Sequence, residues 1–167
     1  AWVVGGAMTR LYTNDGGANW IVQNQAAPQS YQLRGVDFVN SLEGWAVGRT
    51  ALGKDFIWGP GMVLHTTDGG VTWAIQTSNT NLRLEGVSFV DANNGWAVGG
   101  NIIHTSNGGA NWTLQTSGTI NNLNGVSFVD TNNGWAIGDN GTILHTDNGG
   151  ANWTSQPIGT TNYTLNS

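Results

Sequence analysis

The chain has 167 residues, a formal net charge of −5 and a pI near 4.7, with only 9% charged residues against 26 Gly and 9 Trp. That balance disfavours binding to nucleic acid or to an anionic membrane surface, and no apolar run reaches the roughly 18 residues that a spanning helix needs. The absence of Cys excludes a disulfide framework and any Cys-ligated metal.

Taken in chain order, the elements form a repeated phrase. Residues 1–5 give a short apolar run, and "YTNDGGANW" (12–20) follows. "GVDFV" (35–39), "GWAVG" (44–48) and "HTTDGGVTW" (65–73) come next. "GVSFV" (86–90), "GWAVG" (95–99) and "HTSNGGANW" (104–112) repeat them, and "GVSFV" (125–129), "GWAIG" (134–138) and "HTDNGGANW" (145–153) repeat them again. The period is about 40 residues, within the range of blade-type repeats.

Each unit reads as four short strands. "GVSFVD" alternates apolar and small or polar positions, the period of a half-buried strand. Asn-Gly follows, a hairpin signal in which both turn residues tolerate positive φ. "WAVGG" supplies a second strand, "TILHT" a third, and the segment after the Gly-Gly turn a fourth. No segment carries helical periodicity. The expected fold is all-β, a β-propeller of four-stranded antiparallel blades at about 1–24, 32–77, 83–116 and 122–157, treated as one domain over 1–167, with the first blade lacking its innermost strand. An edge left open in this way seeks a partner. Two completions stay open: the remainder of a longer propeller, or self-association with other copies.

The pattern [Ser/Thr]-x-[Asp/Asn]-x-Gly-x-x-Trp resembles the Asp-box of bacterial neuraminidase (BNR) repeats, and the larger unit resembles the repeat of photosystem II stability/assembly factor-like propellers. The resemblance implies that the Asp-box lies in the turn between the third and fourth strands. Asp15, Asp68, Asn107 and Asn148 share one turn position, where a short side-chain acceptor bonds backbone N–H groups. Because Asn replaces Asp in two of the four, a catalytic carboxylate is excluded there. Trp20, Trp73, Trp112 and Trp153 are expected to be buried anchors between blades. His65, His104 and His145 share one slot, filled by Tyr12 in the first unit, and read as structural rather than metal-binding.

Function is therefore sought where the chain departs from the repeat. All five basic residues, Arg10, Arg34, Arg49, Lys54 and Arg83, lie in residues 1–83, and residues 84–167 contain no Lys or Arg. Residues 49–62, "RTALGKDFIWGPGM", stand where residues 139–142 stand in the last unit. Arg34 and Arg83 are expected just before innermost strands, in loops that join one blade to the next, and the insertion is expected as a loop between the second and third strands that emerges on the same face. Arg34, Arg49, Lys54, Phe56, Trp58 and Arg83 are then the candidate partner-binding residues, since aromatic and Arg side chains anchor recognition surfaces. The competing reading packs Phe56 and Trp58 onto the propeller rim.

A neuraminidase-like enzyme would need an arginine cluster, a Tyr nucleophile with a Glu partner, and an acid. No pair of carboxylates stands out as a glycosidase pair. The favoured expectation is a non-catalytic scaffold that binds a protein or a glycan, without cofactor, metal, nucleic acid or membrane insertion. A sialidase-like glycoside hydrolase fragment is the alternative. The uncharged polar surface points to an extracellular or cell-surface location, with the periplasm or the thylakoid lumen as the alternative.

Overall fold

A computed structural model describes residues 1–5, 9–23, 31–52, 57–157 and 163–166. Its strands form four antiparallel meanders in chain order. The first sheet has three strands, β1 (Trp2–Val4), β2 (Arg10–Tyr12) and β3 (Ile21–Val22). The second contains β4 (Tyr31–Phe38), β5 (Gly44–Leu52), β6 (Ile57–Thr66) and β7 (Ala74–Gln76). The third contains β8 (Leu84–Phe89), β9 (Gly95–Gly99), β10 (Ile102–Thr105) and β11 (Thr113–Gln115). The fourth contains β12 (Leu123–Phe128), β13 (Gly134–Gly138), β14 (Ile143–Thr146) and β15 (Thr154–Ser155). This is the blade architecture of a β-propeller.

The innermost strands β4, β8 and β12 run beside one another at a spacing that a side chain on the facing glycines would crowd. A Cβ on Gly86 would lie 3.2 Å from the Gly125 Cα, and one on Gly35 would lie 3.1 Å from the Glu85 carbonyl oxygen. Outward from these strands the core lies between sheets. Trp45, Val47 and Val63 of the second sheet pack with Leu84, Phe89, Ala97, Ile103 and Trp112 of the third. Trp96, Val98 and Ile102 then pack with Leu123, Phe128, Ala136, Leu144 and Trp153 of the fourth.

Aromatic rings tie each pair of sheets together. The second-strand Trp of one sheet stacks on the innermost-strand Phe of the next: Trp45 on Phe89 at 3.6 Å between centroids and 7°, and Trp96 on Phe128 at 3.5 Å and 7°. Each Phe meets the Asp-box Trp of its own sheet edge-on, Phe89 with Trp112 at 86° and Phe128 with Trp153 at 87°. Trp2, Phe38 and Trp73 repeat the arrangement more loosely, with Trp2 and Phe38 stacked at 5.2 Å. The other face of the second-strand Trp is covered by the third-strand histidine, His65 on Trp45 at 4.6 Å and His104 on Trp96 at 4.7 Å. The rings thus bury large apolar area, the Trp–Phe stacks nearly face to face and the Phe–Trp contacts edge-on, the latter a geometry that aromatic pairs favour.

Backbone polarity in the turns is met by the box side chains. Thr66 Oγ1 donates to Asp68 Oδ1 (2.8 Å) and accepts from the Gly70 N–H (2.8 Å), while Asp68 Oδ1 accepts from the Thr72 N–H (2.8 Å). Thr105 and Asn107 make the same bonds with Gly109 and Asn111, and Thr146 and Asn148 with Gly150 and Asn152. Gly69 and Gly70 hold φ of 69° and 83°, a left-handed pair open to Gly at little cost.

Three expectations are corrected. Trp20 is 42% exposed, because the first sheet has no innermost-strand Phe to receive it, whereas Trp73, Trp112 and Trp153 are each 9% exposed or less. The Asn94-Gly95 and Asn133-Gly134 pairs are not positive-φ turns. The reversal is instead held by Asp91 and Asp130, each accepting two consecutive backbone N–H groups, and Gly95 opens β9 where a Cβ would strike the Phe89 ring. The Asn-Gly pair that does adopt two positive φ values is Asn140-Gly141, at 53° and 68°. Finally, the inserted segment is not a free loop at its base. It lengthens the β5–β6 hairpin, with Ala51 paired to Trp58 and Leu52 to Ile57.

Phe89→Ala is expected to lower stability by about 3–5 kcal/mol, while the exposed Trp20→Ala stays within about 1 kcal/mol; chemical denaturation compares them. Thr105→Val strips the hydroxyl from a buried residue and leaves the Gly109 N–H unpaired. A loss of about 1–3 kcal/mol is expected in the same assay. The box carboxylates add a pH term. Hydrogen bonds from Thr13 hold Asp15 well below the ordinary carboxylate range, and those from Thr72 lower Asp68. Both contributions are therefore present above the unfolded value of about 3.9 and vanish as pH falls through the folded values. D15N and D68N should flatten the acid loss in Tm, followed from about pH 5 to pH 2.

Candidate functional site

Every four-stranded sheet has one irregularity in the same place. The innermost ladder shifts register between Leu33 and Gly35, between Leu84 and Gly86, and between Leu123 and Gly125. The extra residue is Arg34, Glu85 or Asn124. A bulge releases one residue from the ladder and re-aims its side chain. Three consecutive sheets therefore present a variable residue at one end of the innermost strands. Arg34 thus lies within β4, not in the connecting loop expected for it, while Arg83 immediately precedes β8.

Glu85 sits between two guanidinium groups. Arg83 Nε lies 2.8 Å from Glu85 Oε1, and Arg34 Nε lies 3.6 Å from Glu85 Oε2. The Arg34 and Arg83 side chains are 47% and 40% exposed, against 15% for Glu85. Such exposed pairs contribute about 1 kcal/mol or less, so they orient the side chains more than they stabilise the fold. Arg49 on β5 donates from Nε and Nη2 to Gln32 Oε1 at 3.3 and 3.0 Å. Burial, then the positive charges of Arg34 and Arg83, push the Arg49 guanidinium below its usual value, while Glu85 opposes them. Arg34 and Arg83 thus share one carboxylate, and Arg49 lies within electrostatic range of all three groups. A cleft of about 270 Å³ between the second and third sheets is lined by Arg49, Gly59, Leu82, Arg83, Gly100 and Asn122.

The same end of the fourth sheet is acidic and amide-rich. Asn124 Nδ2 donates to Asp139 Oδ1 at 3.0 Å, and Asn122 Nδ2 to Asp139 Oδ2 at 3.2 Å. These bonds hold Asp139 below the ordinary carboxylate range, with a smaller contribution from Arg83. The face therefore changes sign across neighbouring sheets.

Of the residues singled out by sequence, Arg34, Arg49 and Arg83 come together. Lys54 and Phe56 lie outside the described residues, and Trp58 is placed on β6 opposite Ala51. Glu85, Gln32, Asn124 and Asp139 were missed. The signal for the first of these was present: "LRGV", "LEGV" and "LNGV" differ only at the bulged residue. The histidines stack on tryptophan as described, and among the described residues no group of three or more His, Asp or Glu side chains is disposed to hold a metal ion.

Glu85→Gln removes the carboxylate that Arg34 and Arg83 share. Its Tm should stay close to that of the parent, while retention on an anionic resin at low salt rises; a large loss of Tm would show that Glu85 holds the sheets together.

A family model described as photosynthesis system II assembly factor YCF48 matches residues 1–82 and again 72–162. The photosystem II assembly lipoprotein Ycf48 of Synechococcus sp. (strain CC9902) is 33% identical over 72 residues, covering 42% of this chain and 18% of that protein. Among solved structures, YCF48 bound to D1 peptide aligns with a TM-score of 0.63 and 25% identity, over 77% of this chain and 42% of the other. YCF48 from Cyanidioschyzon merolae aligns at 0.61 and 27%, over 77% and 38%. An ancestral GH74 enzyme, AFV00434, aligns at 0.70 over 95% of this chain and 22% of its own, at 17% identity, a likeness of fold alone. The chain thus spans less than half the length of these relatives.

Proposed function

The chain belongs to the family described as photosynthesis system II assembly factor YCF48, and on that premise we propose that it is a non-catalytic propeller scaffold that captures a segment of a photosystem II protein. The binding face is the end of the sheets that carries Arg34, Arg49 and Arg83. One observation carries this reading: successive bulges put Arg34 beside Glu85, with Arg83 on the other side of the same carboxylate and Arg49 in electrostatic range. Two partly exposed guanidinium groups around one carboxylate suit an acidic or carboxylate-terminated peptide, which Arg binds by paired N–H donors.

A peptide is favoured over a glycan because a similar chain has been solved with one. The β5–β6 hairpin continues beyond Arg49 through the Ala51–Trp58 and Leu52–Ile57 pairs, and Lys54, Phe56 and Trp58 are assigned to the same binding surface by their residue types. Scaffold rather than glycosidase follows from the family and from the structural role of the box residues, two of which are Asn. The relative named as a lipoprotein favours the periplasm or thylakoid lumen over an extracellular location.

The test uses the D1 peptide, labelled, in fluorescence anisotropy against this chain. R34A combined with R83A should weaken binding at least tenfold, or about 1.4 kcal/mol, and flatten its salt dependence. Trp58→Ala should weaken it with the circular dichroism unchanged. Unchanged affinity in the double arginine variant would move the binding face elsewhere.

A further inference from the structure

The joint between the first and second sheets encloses a cation where the other sheets place aliphatic core. Arg10 opens β2, three residues before the box hydroxyl of Thr13. Counted back in the same way from Thr66 and Thr105, that place belongs to Val63 and Ile102, both fully buried. Arg10 is buried to nearly the same degree, at 1% exposure. A guanidinium stays charged throughout the pH range of a folded protein. Once taken out of water, that charge needs an opposite charge or a full set of hydrogen bonds.

Among the described residues Arg10 has neither. No Asp or Glu oxygen there lies within ion-pair distance of it, whereas Arg34 and Arg83 both reach Glu85. Nη1 donates to the Tyr31 hydroxyl at 3.3 Å and Nε to the Gln23 carbonyl at 3.4 Å, both longer than ordinary N–H···O bonds. The Trp73 ring lies beside the guanidinium, with its centroid 6.0 Å from Cζ, at the limit of a cation–π contact. The second N–H of Nη1 and both of Nη2 have no acceptor among the described residues. Tyr31, 4% exposed, accepts from Arg10 and has no described acceptor for its own proton. The spot is therefore rich in donors and short of acceptors. Residues 6–8 and 24–30, next to β2 and β4 in sequence, include no acid that could answer it. Every side-chain nitrogen sealed from water has a partner among the described residues, so Nη2 faces space that a water-sized species reaches.

We infer that Arg10 and Tyr31 form a binding site for one small monovalent anion, chloride being the simplest, at the joint between the first two sheets. The anion accepts from Nη1 and Nη2 of Arg10 and from the Tyr31 hydroxyl, and its charge offsets the guanidinium. Its valence follows from the surroundings. Tyr31 and Trp73 belong to an apolar cluster with Leu33, Met62 and Leu64, so a second negative charge would find no partner. Once occupied, the site ties β2 to β4. It thereby holds the first sheet, which contributes no innermost phenylalanine, onto the second. The site uses none of Arg34, Arg49 and Arg83 and is independent of the peptide-binding reading.

Thermal unfolding of the full chain is followed while chloride replaces gluconate, an anion too bulky for the site, at constant ionic strength. Tm should rise by a few degrees and then saturate, as binding to the folded state alone requires. R10M nearly keeps the length of the side chain, removes the charge and supplies an apolar residue like those at the Val63 and Ile102 positions; its Tm should not respond to the exchange. Y31F removes one donor and should raise the chloride concentration at half-effect about tenfold, the loss of one hydrogen bond to a charged group. The chloride NMR line should broaden in the presence of the parent chain and stay sharp with R10M, a readout that does not pass through stability. Equal Tm responses in the parent and R10M would reveal a general effect of salt and overturn the inference, as would a chloride line that the parent chain leaves sharp. Should R10M fail to fold, Y31F decides: a half-effect concentration that stays at the parent's value overturns the site.

Discussion

The stacked contact between a tryptophan on one sheet and a phenylalanine on the next is the interaction on which the molecule depends. A single meander has two apolar faces and few residues, so it cannot bury either face alone. Placing Phe89 between Trp45 and Trp112 makes one ring serve both sheets, and Phe128 does the same between Trp96 and Trp153. Gly95 and Gly134 stay side-chain-free because a Cβ at either would enter the phenylalanine ring of its own sheet. Stability is then a chain of neighbour terms, as in other repeat proteins.

Freedom from structural duty is what lets the bulged positions vary. Leu33, Leu84 and Leu123 are fully buried, and Gly35 and Gly86, which follow the first two bulges, stand where a Cβ would crowd the neighbouring innermost strand. The residue between them answers to neither demand. Arg34, Glu85 and Asn124 therefore differ in charge while the backbone around them repeats. A propeller of this kind composes its binding face one residue per sheet, and the extended β5–β6 hairpin adds a second, local variation beside Arg49.

Much of this was legible in the sequence because the repeat is written in residue types with one geometric use. The Gly-Gly of each box, the Thr two residues before the box Asp or Asn, and the Trp that ends it located the turns and the four sheets. The exposure of Trp20 was not legible from its own phrase, since burial depended on a Phe elsewhere in the unit that the first sheet lacks. The Asn-Gly pairs misled for a related reason. Asn94 and Gly95 look like a two-residue turn, yet Asp91 does the capping and Gly95 is small to admit Phe89. Arg34 was found by its charge, but Glu85 was not, because an acid in an acidic protein draws no notice until the three bulges are aligned.

The asparagine boxes bear on how the protein ages chemically. Asn-Gly is the pair most prone to cyclise, because the nitrogen of a following glycine meets little steric hindrance as it attacks the side-chain carbonyl. In the boxes that nitrogen is engaged: the Gly108 N–H bonds to the Asn93 carbonyl and the Gly149 N–H to the Asn132 carbonyl, each at 2.9 Å. The side-chain oxygens of Asn107 and Asn148 are held by a hydroxyl and a backbone N–H at the same time. Both reacting groups are thus pinned in the folded state, and succinimide formation there must wait for the turn to open. The network that closes these turns therefore also sets their shelf life.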